Sequence, residues 1–252
     1  MKILIWDFDG VLVASLKECH LITMAAIERE REKMAKEAGI GQFRPVSLQQ
    51  FEIYRSKSVN SIDFFANYIL DMTGKELNIA NLEAVVKKHD SFLRFMDGVY
   101  DEERDALFNK SHSEYFKTLF VYPDIPKTLQ QLSSLGIRHS IMSARNRHSL
   151  MPILEHFNLQ RHFELILGSE VDKGSRHVKE KQILLTKKHF SQKYPAEPAF
   201  DYYFIDDFPF NLRKLQGFAH LLFAQWGYGK LDDKYVKAQR VKQPLDLLNI
   251  IK

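Results

Sequence analysis

The chain has 252 residues, 45% hydrophobic and 27% charged, with 11 glycines and 8 prolines. These proportions exclude a disordered, collagen-like or low-complexity chain and fit one large domain or a core carrying an insertion. Thirty-six basic against 32 acidic residues leave a net charge of +4, a mild excess that suits an anionic ligand, without the basic stripe and exposed aromatics expected of a nucleic-acid binder.

The chain opens on an apolar run over residues 2–6, interrupted only by Lys2 and closed by Asp7-Phe8-Asp9-Gly10, which reads as a buried parallel strand ending at a turn. The run is too short for a signal peptide, and no stretch of about 18 apolar residues follows that could span a membrane. One cysteine, Cys19, excludes an intramolecular disulfide and suits a reducing compartment. A cytoplasmic protein is expected.

Ser15 then has the character of a helix N-cap, with Glu18 as its capping-box partner. From there to residue 118 no strand is predicted. Helices are expected over 16–38, 47–54, 61–73, 79–94 and 101–118, punctuated by Gly39, Pro45 and Gly74. The stretch has its own apolar periodicity, for instance Phe64, Phe65, Tyr68, Ile69 and Met72, and reads as an inserted helical domain over 16–118.

After Tyr122-Pro123-Asp124 the texture changes to alternating elements. Helix 125–135, strand 138–142, helix 147–156, strand 163–167, helix 178–190, strand 202–205, helix 209–216, strand 219–224 and a terminal helix over 245–251 are expected. Such alternation predicts an α/β fold, a Rossmann-like parallel sheet with helices on both faces, formed by residues 1–15 and 119–252.

In a sheet of this kind, ligands bind beyond the carboxyl ends of the strands. There the sequence puts Asp7 and Asp9, Ser143, and Asp206-Asp207, with Lys173, Lys179 and Lys181 between the third and fourth strands. Asp7, Asp206 and Asp207 are hard oxygen ligands suited to Mg²⁺. Without a cation, bunched carboxylates would repel and raise one another's pKa. One carboxylate can act as a nucleophile toward phosphorus, a second as general acid and base, while Ser and Lys hold the phosphoryl oxygens.

With those residues in view, Asp7-Phe8-Asp9-Gly10-Val11-Leu12 resembles the first motif of the haloacid dehalogenase superfamily. Ser143 after Ser140-Ile141-Met142 resembles the second motif, a lysine near 179 the third, and Phe204-Ile205-Asp206-Asp207 the fourth, all in the right order. The region Ala224-Gln225-Trp226-Gly227-Tyr228-Gly229 is similar to phosphoglycolate-phosphatase-like members, and the helical insert resembles their cap. The resemblance implies Asp7 as nucleophile and Mg²⁺ ligand. It implies Asp9 as general acid/base, with its backbone carbonyl on the metal. Ser143 would bind the phosphoryl group, and Asp206 and Asp207 would hold Mg²⁺.

Three departures stand out. Ala14 and Asn211 occupy positions where many members have Asp, and the third motif lacks its usual Lys-Pro pair, leaving Lys179 and Lys181 as candidates, with Lys173 behind them. Asn211 is neutral but can still hydrogen-bond a metal-bound water, so the sequence leaves open whether Mg²⁺ binding is weakened. Tyr54-Arg55-Ser56-Lys57-Ser58 resembles the cap segment that faces the site in similar proteins, which makes Arg55 and Lys57 candidate contacts for an anionic substrate, as is Arg145 just past Ser143. The expected activity is Mg²⁺-dependent hydrolysis of a small phosphorylated metabolite through an aspartyl-phosphate on Asp7. The alternatives are a phosphomutase of the same superfamily and a non-catalytic binding or regulatory protein. Asp9 argues against a dehalogenase and a phosphonatase.

Overall fold

A computed structural model describes residues 1–173, 175–231 and 236–251. The chain divides into two compact units, one of Met1–Ala14 with Phe120–Lys252, the other of Ser15–Leu119.

The first unit is built on a parallel sheet. Its strands are β1 (Lys2–Trp6), β4 (Arg138–Met142), β5 (Leu165–Leu167), β6 (Asp201–Asp206), β7 (His220–Ala224) and β8 (Gln239–Val241). Their spatial order is β5-β4-β1-β6-β7-β8, and every pairing is parallel. Strand β1 pairs with β4 on one side, Ile5 opposite Ser140, and with β6 on the other, Ile5 opposite Phe204. The chain therefore builds outward to β5 first, then returns to the far side of β1 for β6, β7 and β8. The crevice at such a reversal lies beyond the carboxyl ends of β1, β4 and β6.

Ile3, Leu4, Ile5 and Trp6 are all buried, so both faces of β1 are covered. That explains why its sequence is continuously apolar rather than alternating. Ile3 and Ile5 join a core with Ile183 and Phe190 of α10 (Val178–Lys193) and Leu212 of α11 (Pro209–Lys214). Helices α8 (Ile125–Ser134), α9 (Arg147–His156) and α12 (Leu247–Ile250) complete the unit, with short 3₁₀ turns. A two-stranded ribbon, β2 (Val13–Ala14) against β3 (Phe120–Val121), marks where the chain leaves this unit and returns to it.

The second unit is helical among the described residues: α1 (Leu16–Arg29), α2 (Arg31–Ala38), α3 (Leu48–Arg55), α4 (Ser61–Met72), α5 (Ile79–Lys88), α6 (Asp90–Lys110) and α7 (His112–Phe116). Its core gathers Ile22, Phe51, Phe65, Tyr68, Leu93 and Met96, from α1, α3, α4 and α6. The aromatic pair Phe64 and Phe65 is buried in that core.

Three local expectations are corrected here. The capping box at Ser15 does not form. Ser15 makes no side-chain cap hydrogen bond, and Glu18 turns into the interior to accept from Arg104 Nε at 3.0 Å and the Tyr115 hydroxyl at 2.8 Å. Two hydrogen bonds from buried donors, one of them a charged guanidinium, outweigh a single bond from the Ser15 backbone N–H. The gap expected between helices 79–94 and 101–118 is absent: α6 runs through it, Gly98 included, and the break falls at His89. A mid-helix glycine costs about 1 kcal/mol, and the apolar face of Phe92, Leu93, Met96, Val99 and Tyr100 is buried on both sides of it. The sheet also has an edge strand, β8, which its short, polar sequence hides. Among the described residues no helix is long and apolar enough to cross a membrane.

Candidate active site

Three carboxylates meet at the carboxyl edge of the sheet. Asp7 follows the last residue of β1, and its N–H donates to the Ile205 carbonyl, so the strand pairing carries through into the site. Asp206 ends β6, and Asp207 begins the turn into α11. All three are buried, and one oxygen from each lies within 4.8 Å of the others. Burial, and then the charge of Asp7, pushes the Asp206 carboxyl well above its ordinary range. Two hydrogen bonds support the Asp206 carboxylate: Phe208 N–H to Oδ1 at 2.7 Å and Asn211 Nδ2 to Oδ2 at 2.9 Å. The neutral Asn211 therefore serves the carboxylate itself.

One lysine answers this charge. Lys179 sits in the first turn of α10, its side chain 2% exposed, with Nζ 2.5 Å from Asp7 Oδ1 and also donating to the Met142 carbonyl. Lys181 lies elsewhere. Its side chain is 59% exposed and pairs with Asp172 at 2.8 Å, so the structure does not bring it to Asp7. Two helical positions are about 200° apart around the axis, so of this pair only one can point inward.

Ser143 follows β4 and is buried, its N–H bonded to the Leu167 carbonyl. Its hydroxyl oxygen accepts from the Arg145 N–H at 3.0 Å, which leaves the hydroxyl proton to donate. Gln182, one turn beyond Lys179, donates to the carbonyls of Ser143 at 2.8 Å and Gly168 at 2.9 Å. This residue escaped the sequence reading. Its spacing of three from Lys179 on one helix face is the signal that could have found it.

Asp207 is held by its neighbours. Its Oδ2 accepts from the Tyr228 N–H at 2.6 Å. Gly10 takes φ +96, and a side chain there would overlap the Asp207 carboxylate, as would one at Gly227. Glycine at these two places lets backbone approach the acid from two sides. Trp226 Nε1 donates to the Val11 carbonyl at 3.0 Å, tying the 226–229 turn to the segment after β1.

Arg145 is a candidate contact for a substrate anion, with an ordinary surface residue as the other reading. The structure instead pairs it with Asp9, Nη2 to Oδ1 at 2.7 Å and Nε to Oδ2 at 3.1 Å. Arg55 and Lys57 belong to the helical unit, where Arg55 donates to the Ser58 carbonyl at 3.1 Å and Lys57 to that of Leu77. Ala14 is buried in β2, opposite Phe120.

The donor set fits a hard divalent cation: three clustered carboxylates, one of them destabilised as an anion by burial and by the charge of Asp7. The haloacid dehalogenase-like hydrolase family model matches residues 1–200. The chain belongs to this family. Within it, the chain is 27% identical over 174 residues to the phosphoglycolate phosphatase of Aquifex aeolicus (strain VF5), a span of 68% of this chain and 62% of that relative's length. The fold is similar to a predicted phosphatase from Clostridium acetobutylicum, with TM-score 0.67 at 14% identity over 99% of this chain and 97% of that one. It is also similar to a predicted phosphoglycolate phosphatase from Haemophilus somnus 129PT, TM-score 0.63 at 17% identity over 100% and 98%. A third likeness is the archaeal beta-phosphoglucomutase of Pyrococcus sp. strain ST 04, TM-score 0.59 at 18% identity over 96% and 93%.

Proposed function

We propose that the protein is a divalent-cation-dependent phosphatase that hydrolyses a small phosphate monoester, with Asp7 as nucleophile. The observation that carries this reading is the convergence of Asp7, Asp206 and Asp207 beside the buried Lys179 at the carboxyl end of the sheet. The family and the phosphatase relative support it. Asp7, Asp206 and Asp207, with the Asp9 main-chain carbonyl, would hold Mg²⁺, which when bound supplies positive charge to the phosphoryl oxygens.

The rest of the chemistry belongs to the protein. A carboxylate oxygen of Asp7 bonds to phosphorus as the ester P–O bond breaks, and Asp9 passes a proton to the departing alkoxide. Asp9 then takes a proton from water, whose oxygen bonds to phosphorus as the Asp7 O–P bond breaks. This returns the carboxylate and releases inorganic phosphate. Lys179 and the Ser143 hydroxyl hold the phosphoryl oxygens, which matters because positioning and charge stabilisation dominate phosphoryl transfer. In this reading the helical unit is a cap that selects the leaving group.

A phosphate-release screen over metabolite monoesters with Mg²⁺, comparing the wild type with Asp7→Asn, tests the proposal. Metal-dependent release that Asp7→Asn abolishes is expected. Isomerisation of a sugar phosphate without net release, or no turnover of any ester, would overturn it.

A further inference from the structure

We infer that Arg145 is the positioning residue for the general acid/base, rather than a contact for the substrate. This inference rests on the phosphatase reading of Asp9.

The argument begins with geometry. Asp9 stands on the turn after β1 and Arg145 on the turn after β4, two neighbouring parallel strands of the sheet. The guanidinium presents Nη2 and Nε to the two carboxylate oxygens at 2.7 and 3.1 Å. A two-pronged pairing of this kind sets the plane of the carboxylate as well as its distance, which a single hydrogen bond or a lysine cannot do. The turn that carries Asp9 is itself held, the Gly10 N–H donating to the Val13 carbonyl at 2.8 Å and the Val13 N–H to the Phe8 carbonyl at 3.0 Å, so what is left to fix is the pair of side-chain torsions of Asp9. The fork removes those torsions.

Burial points the same way. The Arg145 side chain is 1% exposed, while that of Asp9 is 17% exposed. The group with access to an incoming ligand is the carboxylate, with the guanidinium behind it. The guanidinium carbon also lies 5.7 Å from the centre of the buried Phe8 ring, so an apolar wall backs the charge. The backbone of Arg145 is anchored in turn. Its N–H donates to Ser143 Oγ, its carbonyl accepts from Ser169 N–H at 3.0 Å, and Gln182 clamps the carbonyls of Ser143 and Gly168. The turn that presents the Ser143 hydroxyl therefore also aims Asp9. A general acid needs its oxygen within hydrogen-bond reach of the departing atom, and small misplacements are costly.

A double-mutant cycle with steady-state kinetics on p-nitrophenyl phosphate and glycerol 2-phosphate, with Mg²⁺ saturating, tests this. Arg145→Gln should lower kcat about 10- to 100-fold while KM changes less than about threefold, as expected when a general acid/base is misplaced. Arg145→Lys should recover part of the loss by keeping one charged donor. In an Asp9→Asn background, Arg145→Gln should cost nothing further, because the group it aims is already gone. A purely structural role would not produce that silence. Where Arg145→Gln does not fold, Arg145→Lys carries the same cycle. A KM rise above about tenfold with kcat retained, or losses that multiply in the double variant, would overturn the inference and return Arg145 to substrate binding. A wild type with no metal-dependent turnover of either ester, nor of any in the screen, would instead overturn the phosphatase reading, and this one with it.

Discussion

Lys179 and Lys181 differ by two positions and end in opposite surroundings. The first is buried against Asp7 and the Met142 carbonyl, the second is solvated and paired with Asp172. The sequence showed both and put Lys179 slightly ahead on its spacing to the apolar helix, but chemistry did not separate them, since an ammonium on either would serve a phosphate. The helix start at Val178 and the inward face of α10 made the choice. Replacing Lys179 by Ala should lower kcat by about 100-fold or more, the scale seen when a preorganised charge-stabilising group is removed. Lys181→Ala should stay within about twofold, because exposed ion pairs contribute little. Equal losses in a side-by-side phosphate-release assay would show the assignment to be wrong. Asp9 and Arg145 make the complementary case. The sequence marked Asp9 as functional and Arg145 only as a candidate, and their pairing joins the turns after two different strands, which no local pattern announces.

At the scale of elements, the helical unit carries its own electrostatic centre. Glu18 of α1 is fully buried and accepts from Arg104 of α6 and from the Tyr115 hydroxyl of α7. Arg104 also donates to the Tyr100 hydroxyl at 3.1 Å, one turn away on its own helix. Three helices are thus pinned to one carboxylate that could not be buried alone. Arg104→Ala strands that charge and should destabilise the protein by roughly 3–5 kcal/mol. The double variant Glu18→Gln, Arg104→Met should lose much less, since removing both partners leaves no orphaned ion. Urea denaturation of the three proteins provides the comparison, and a double variant as unstable as the single one would refute the account. The expected capping box failed for the same reason. Glu18 had the right spacing from Ser15, but the interior offered it a stronger set of donors.

For the whole molecule, the buried centre of the sheet implies a pH dependence. His139 on β4 is almost fully buried, and Trp6 Nε1 donates to its Nδ1 at 3.2 Å. Burial, helped by the positive charge of His162, pushes its pKa down from 6.5 to about 4. In that interval the unfolded chain binds a proton that the folded chain does not, so stability falls as pH drops through it. The contribution is complete above about pH 7 and is lost progressively between 6.5 and 4, on the order of 3 kcal/mol in all. His139→Gln keeps an acceptor for Trp6 and removes the titration. Its unfolding free energy should decline less than that of the wild type between pH 7 and 4.5 in denaturant titrations. Parallel declines would show that His139 is not responsible.

What the sequence determined by itself were the features that physics makes local or repeats along the chain. The apolar run of β1, the strand and helix alternation after Tyr122, the amphipathic helices of the insertion and the acids at the strand ends follow from periodicity and turn chemistry. The edge strand β8 and the ribbon of β2 with β3 were illegible, because pieces of two or three residues carry no period. The tertiary structure decided everything that depends on which side chains meet: Lys179 over Lys181 at Asp7, Asn211 on Asp206, Gln182 behind Ser143, Arg145 on Asp9. Those choices rest on burial and on distances of a few ångströms between residues up to 172 positions apart in the chain, and only the assembled parallel sheet brings such residues to one edge.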